Sequence, residues 1–312
     1  MLKKIVLALG GNALGNTPKE QAEAVKTTAK SIVDLVEQGN KVLVVHGNGP
    51  QVGMIYNSFD NASKTDEKIP NLSLALSGAM SQGYIGLHLQ QAVYNEQALR
   101  GMKTPVASIV TQTIVDSNDP AFQNPTKPIG SFMSEEDAKK LAESTGAFVG
   151  EDSGRGWRVM VPSPKPSSIV EVEIVKQLID QENILIVGGG GGIPTLSDGK
   201  EIKEVDAVID KDFTAAKIAE LVDADMFMIV TATDGIWKNY GKDDEYKLEY
   251  PTVDELQTLV DEGEFPAGSM RPKVEAVISF IRNSNKEVES CIASLELAAD
   301  ALEGKAGTWV KK

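Results

Sequence analysis

A chain of 312 residues, 41% hydrophobic and 24% charged, carries enough apolar material for one large core or two joined lobes, which excludes a disordered or fibrous chain. Its formal net charge of -14 argues against nucleic acid as the main partner, because a phosphate backbone demands a basic face. The single cysteine, Cys291, cannot form an internal disulfide and fits a reducing, cytoplasmic setting, and no apolar run reaches the ~18 residues of a membrane span.

The apolar run Ile5 to Leu9 reads as a buried strand that empties into Gly10-Gly11-Asn12; it is too short, and ends in the wrong residues, for a secretory leader. Helical spacing follows over Pro18 to Gln38 (Ala22, Val25, Ala29, Ile32, Val33, Val36), stopping at Gly39. A second strand, Val42 to Val45, opens into His46-Gly47-Asn48-Gly49. Leu72 to Arg100 reads as a long helix with a break expected at Gly78, Gly83 or Gly86. Its small and apolar face (Leu76, Ala79, Met80, Gly83, Leu87) is assigned to the core, with a subunit contact as the alternative. Thr104 to Val110 reads as a strand. From Asp116 to about Lys165 the rhythm breaks into Pro, Gly and charge, with one short helix announced by Ser134-Glu-Glu-Asp137; this stretch reads as an insertion over the site.

The second half restarts with a helix from Val170 to about Asp180, a strand from Ile184 to Val187 and a five-glycine loop, Gly188 to Gly192. Lys203 to Ile209 reads as a short strand or edge, Phe213 to Val222 as a helix, and Met226 to Val230 as a buried strand ending at Thr231-Ala-Thr-Asp234-Gly235. Helices over Thr252 to Asp261 and Lys273 to Arg282, a strand over Glu289 to Ala293, a helix over Leu295 to Leu302 and a closing strand at Gly307 to Val310 complete the chain. Strands alternating with amphipathic helices predict an α/β fold with an open, mostly parallel sheet covered on both faces.

Three apolar runs that each end in a glycine turn suggest a phosphate-transfer site, since glycine lets several backbone N–H groups approach one anion. The first turn has P-loop spacing, but Asn16 stands where the phosphate-binding lysine belongs. The second approaches a dinucleotide fingerprint, yet Val52 replaces its third glycine and Pro50 sits inside the turn; a dehydrogenase stays open as an alternative that an NAD titration would exclude. Positive charge must then come from elsewhere. Lys127 lies between prolines, Lys211 between Asp210 and Asp212, and Lys273 follows Gly268-Ser-Met270-Arg-Pro. His46, after a buried run, reads as a structural residue, and two scattered histidines with one cysteine give no zinc site.

Gly10-Gly-Asn12, His46-Gly-Asn-Gly-Pro-Gln-Val-Gly53, Gly78-Ala-Met-Ser-Gln-Gly-Tyr84, Pro125-Thr-Lys-Pro-Ile-Gly130, Arg155-Gly-Trp-Arg158 with Val161-Pro-Ser-Pro164, Ala207-Val-Ile-Asp-Lys-Asp212 and Gly268-Ser-Met270 with Pro272-Lys273 together resemble the carbamate kinases of the amino acid kinase fold. The match spans nearly the whole chain. It departs at Val159, where a second arginine is usual, and at Ser131, where proline is common.

The resemblance implies reversible phosphoryl transfer between ATP and carbamate, giving ADP and carbamoyl phosphate. It also implies one domain over 1–312, with a carbamate lobe at 1–196 carrying a protruding insertion at about 116–165 and a nucleotide lobe at 197–312. By similarity, Gly10, Gly11, Asn12, Asn48 and Gly49 would hold carbamate and the transferred phosphoryl. Lys127 would reach the carbamate side, Lys211 would bridge phosphoryl oxygens, Lys273 would meet the nucleotide phosphates, and Asp212 would hold the lysines in register. Thr233, Asp234, Tyr240 and Met270 are candidates around adenine and ribose. Mg2+ would arrive on the nucleotide phosphates with no protein metal site, and a cytoplasmic homodimer is expected. A sister kinase acting on a larger carboxylate or a nucleotide, and a non-catalytic nucleotide sensor, are the alternatives.

Overall fold

The computed structural model describes residues 2–10, 17–152, 154–266 and 268–311. The chain first alternates β1 (Lys4–Leu9), α1 (Pro18–Glu37), β2 (Lys41–His46), α2 (Gly49–Ser63), α3 (Leu74–Leu99) and β3 (Val106–Ser108). An outlying segment carries β4 (Gln112–Val115), β5 (Lys127–Met133), α4 (Glu135–Thr145), β6 (Val149–Glu151), β7 (Trp157–Val161) and β8 (Pro166–Ile169). The chain returns through α5 (Val172–Asp180), β9 (Ile184–Ile186), β10 (Ile193–Ser197), β11 (Ile202–Glu204) and α6 (Lys211–Leu221). It ends with β12 (Met226–Thr231), β13 (Ile236–Lys238), β14 (Tyr246–Leu248), α7 (Val253–Asp261), α8 (Met270–Asn283), β15 (Glu289–Ser294), α9 (Ala298–Leu302) and β16 (Thr308–Lys311).

The main sheet runs β16-β15-β12-β1-β2-β9-β3, parallel throughout except for β16. Its central strands are buried on both faces, which explains why they read as continuous apolar runs instead of alternating ones. Val6 and Ala8 face the cluster built with α5 to α8, while Ile5, Leu7 and Leu9 face the one built with α1, α3 and α9. Phe227 of β12 meets Phe280 of α8 edge to face at 5.7 Å between centroids, each ring contributing roughly 1.5–3 kcal/mol by leaving water. Because the sheet is parallel, the tips of β1, β2, β9 and β12 emerge on one edge, where an open α/β sheet binds its ligands.

Several expectations change. Helix α3 passes through Gly78, Gly83 and Gly86 without a break, and Gly86 is there for contact: a Cβ would lie 2.1 Å from Ser108 Oγ. The stripe assigned to the core is instead solvent-facing, with Leu76 46%, Met80 45% and Leu87 53% exposed, while Leu74, Ile85, Leu89 and Val93 turn inward. The two stripes are neighbours in phase on a helix rich in small residues, so periodicity alone selects the wrong one.

The 116–165 stretch holds more than a helix: β5, β7 and β6 form a three-stranded sheet, Lys127 pairing with Val161. Lys203 to Ile209 is a strand only over Ile202–Glu204, an exposed edge, and Lys211 starts α6, with Asp210 as the N-cap. The C-terminal helical stretch is a 3-10 turn, Leu295–Leu297, followed by α9.

Candidate active site

Gly10 ends β1 with its N–H on Val230 O at 3.0 Å, and a Cβ there would stand 2.9 Å from the same oxygen, so β1 and β12 can approach only with glycine at this point. Gly11 and Asn12 lie outside the described residues. At the tip of β2, His46 is buried and its Nδ1 lies 2.8 Å from Gly47 O; a carbonyl only accepts, so Nδ1 carries the proton. Burial lowers the imidazole pKa to about 4 against the opposing pull of the Gly47 carbonyl, and the Lys211 charge lowers it further. Enclosed and outside the cavity lining, the ring serves the structure.

That assignment has a measurable consequence. Between pH 6.5 and about 4 the unfolded chain protonates this histidine and the folded one does not, so stability falls as the pH drops through that window. The loss should be on the order of 3 kcal/mol by its lower end. Urea melts across the window should show it, and His46→Gln should remove that part of the slope; an unchanged slope would contradict the neutral, enclosed ring.

The glycine loop after β9 forms the floor. Gly188, Gly190, Gly191 and Gly192 all have positive φ, and a Cβ on Gly190 would lie 2.0 Å from Asn48 Nδ2. Thr113 and Thr214 hydroxyls donate to Gly191 O at 2.9 and 2.8 Å, and Gly188 N–H donates to Thr111 Oγ1 at 2.9 Å, which holds the loop in place from two sides.

Above this floor the lysines meet. Asp210 Oδ1 caps α6 by accepting the Asp212 N–H at 3.0 Å, which sets Lys211 and Asp212 in the first turn, where an acid is favoured by the helix dipole. Asp212 is 2% exposed; its Oδ1 accepts from Lys211 Nζ at 2.5 Å and its Oδ2 from Lys273 Nζ at 3.1 Å. Burial works to raise the Asp212 pKa, but the two ammonium groups outweigh it and hold the carboxyl below its ordinary range. Lys273, in the first turn of α8, also donates to Ser269 O at 3.3 Å. From the opposite side Lys127 of β5 reaches Asp210 Oδ2 at 3.3 Å.

Three cations against two carboxylates leave the cluster one charge positive, so it attracts an anion. The insertion that delivers Lys127 is braced by Arg158. This guanidinium donates to Gly130 O and to Asp152 Oδ2, each at 3.0 Å, and stacks 5.0 Å from the Phe132 ring centroid.

A cavity of about 290 Å3 lies among these groups, lined by Gly47, Asn48, Gly49, Lys127, Gly190, Asp210, Lys211, Asp212 and Lys273. A larger groove of about 1130 Å3 beside the C-terminal half of α3 has Lys103 and Tyr94 as its ionisable lining residues, and so offers no convergent charge. Gly10, Thr233, Asp234, Tyr240 and Met270 do not line the small cavity. Thr233 donates to Gly235 O at 3.1 Å. Asp234 accepts from Lys247 at 2.9 Å, which holds its carboxyl below the ordinary range, and from Trp237 Nε1 at 3.3 Å. Tyr240 is 65% exposed, and Met270 opens α8 one turn before Lys273. Gly190 lies in the five-glycine loop read from the sequence as an anion turn, whereas Asp210, also on the cavity wall, is given no role there; the Asp-Lys-Asp triplet signals it only once Asp210 is seen as a cap.

The model of the amino acid kinase family matches residues 3–293. A carbamate kinase-like protein of Escherichia coli is 50% identical over 308 residues, covering 99% of both chains, and the carbamate kinase of Clostridium perfringens is 48% identical over 314 residues, covering 99% of this chain and 100% of its own. Among solved structures, carbamate kinase from Giardia lamblia bound to AMP-PNP superposes with a TM-score of 0.93 at 42% identity, over 100% of this chain and 99% of that one. With lysines, a buried aspartate and glycine turns gathered at the tips of a parallel sheet, the chain belongs to the amino acid kinase family, among its carbamate kinases.

Proposed function

We propose that this protein transfers a phosphoryl group reversibly between ATP and carbamate, and that it runs toward ATP synthesis from ADP and carbamoyl phosphate. The observation that carries the site assignment is Asp212, buried between Lys211 and Lys273 on the wall of a small cavity that Lys127 enters from the insertion.

In this reading a carbamate oxygen forms the new P–O bond as the bond to the ADP oxygen breaks. The transferred group passes through a loose transition state with its charge on the equatorial oxygens, so fixed cations supply most of the catalysis. Lys211 bridges those oxygens, Lys273 holds the nucleotide phosphates, Lys127 takes the carbamate side, and Asn48, Gly49, Gly10, Gly11 and Asn12 hold the acceptor. No base is needed, because carbamate is already an anion. Thr233, Asp234, Tyr240 and Met270 are assigned to the nucleoside, and residues 197–312 to the nucleotide lobe. Solution of the Giardia relative with AMP-PNP supports nucleotide use. Both carboxylates at the cavity are engaged by lysines, so Mg2+ is assigned to the nucleotide phosphates and water. The exposed Leu76, Met80 and Leu87 of α3 support a homodimer through that face.

The test is ATP formation from ADP and carbamoyl phosphate, read with a coupled assay. Turnover well above a blank, with acetylglutamate and UMP inactive as acceptors in the opposite direction, is the expected result. No ATP, or a preference for a larger acceptor, would move the protein to a sister activity or a nucleotide sensor.

A further inference from the structure

Capping α6 does not require a carboxylate. Asp210 spends one oxygen on it, Oδ1 accepting the Asp212 N–H at 3.0 Å, and asparagine or serine would cap as well without a charge. Yet the charge stands on the wall of a cavity whose cations attract anions, where it opposes their binding. The other oxygen shows what the charge is for. Oδ2 accepts from Lys127 Nζ at 3.3 Å, and among the described residues that ammonium makes no other hydrogen bond or ion pair.

The backbone brings the two side chains together. Lys127 pairs with Val161 across the insertion sheet, and the next residue, Pro162, accepts the Val208 N–H at 2.9 Å, so one strand end fixes both the start of β5 and the approach to α6. The Lys127 contact is longer than the roughly 2.8 Å of a tight charged pair, and its side chain stays 37% exposed. The ammonium is aimed without being consumed.

We propose that Asp210 is a positioning residue for Lys127: it ties the cation that the insertion delivers to the first turn of α6, so that Lys127 and Lys211 enter the cavity in fixed register. Asp212 does the same for Lys211 and Lys273, and the two acids flanking Lys211 thus divide the three ammonium groups between them. This rests on the kinase reading above, which gives Lys127 the carbamate side and Asp210 no part.

Asp210→Asn tests it. The single oxygen of asparagine is taken by the cap, which leaves an NH2 toward the Lys127 ammonium, donor against donor. For ATP formation from ADP and carbamoyl phosphate, kcat should fall about 5- to 50-fold, because a misplaced cation must be reoriented in the transition state. KM for carbamoyl phosphate should stay level or fall, since a negative charge has left the wall. In a Lys127→Met background there is no ammonium to misplace, and Asp210→Asn should lower kcat no further. An equal fall in both backgrounds, or an unchanged kcat with Lys127 in place, would show that Asp210 serves α6 alone and would overturn the proposal. Asp210→Ser, also a good cap, should give the same split between kcat and KM and serves if the asparagine variant does not fold.

Urea melts of the same four proteins need no turnover. Asp210→Asn should lower the unfolding midpoint more with Lys127 present than with methionine in its place; equal shifts would mean that the pair does not hold in solution, and would overturn the proposal as well. If the unmutated protein makes no ATP, the kinase reading fails by itself, and the melts still decide whether Asp210 holds Lys127.

Discussion

Lys211→Ala is expected to lower kcat by about 10²- to 10³-fold while the protein remains folded and continues to bind ADP. Lys211 is the first residue of α6, a position where alanine is an excellent helix former, so the backbone has no reason to move. Its ammonium lies 2.5 Å from Asp212 Oδ1, and its stem passes Gly47 so closely that a Cβ there would lie 3.4 Å from Lys211 Cδ. The side chain is thus threaded between the β2 turn and the buried carboxylate, and its charged end is fixed before any substrate arrives. Charge that is already oriented costs no reorganisation when it develops on the transferred group. Asp212 keeps Lys273 as a partner in the variant, which limits the loss of stability. The check is steady-state turnover beside a thermal melt and an ADP titration. Near-normal kcat would remove Lys211 from the chemistry, and a collapsed melting transition would show that it serves the fold.

Much of the fold can be read from the residues because the buried strands advertise themselves. Ile5 to Leu9, Val42 to Val45 and Met226 to Val230 are apolar at every position, as strands covered on both faces must be, and the helices between them carry plain caps such as Thr252 with Glu255. The short half-exposed strands do not advertise themselves. β5 and β7 contain a proline, a glycine and an arginine whose places are set by partners across the small sheet, and no alternation survives there.

The apolar residues of the Leu76–Leu87 face predict burial, but burial depends on which side meets the sheet, and Gly86 against Ser108 settles that side. The site divides in the same way. Lys127, Lys211 and Lys273 stood out through their stiff local frames, yet the distances that make them one cluster, across separations of 61 and 83 residues, are a tertiary property. Asp210 illustrates the difference: it looks like one of two flanking acids, and only the start of α6 turns it into a cap whose second oxygen meets Lys127.

Asp212→Asn should have the largest combined effect, on stability and on turnover together. The carboxylate is 2% exposed and neutralises two ammonium groups, one on each oxygen. Asparagine keeps the shape but offers one oxygen and one NH2, so one lysine faces a donor and both lose the opposing charge. Breaking a buried ion pair from one side costs about 3–5 kcal/mol, which for a chain of this size lowers Tm by roughly 5–8 °C.

The pH dependence gives the mechanism away. In the unmutated protein the Asp212 pKa is held below 3.8, so its contribution is complete at neutral pH and is lost only as the pH falls through that lowered value. In the variant the shared carboxylate no longer separates the two ammonium groups, and their repulsion opposes folding as long as both are charged. Unfolding relieves that repulsion, so the stability deficit should shrink as alkaline pH discharges one of them. Phosphate should shrink it as well, by supplying the missing negative charge between the same two ammonium groups. Urea melts of both proteins across neutral to alkaline pH, with and without phosphate, measure this. A deficit independent of pH and phosphate would mean that Asp212 acts through packing or capping, and that the lysines do not depend on it for their charge.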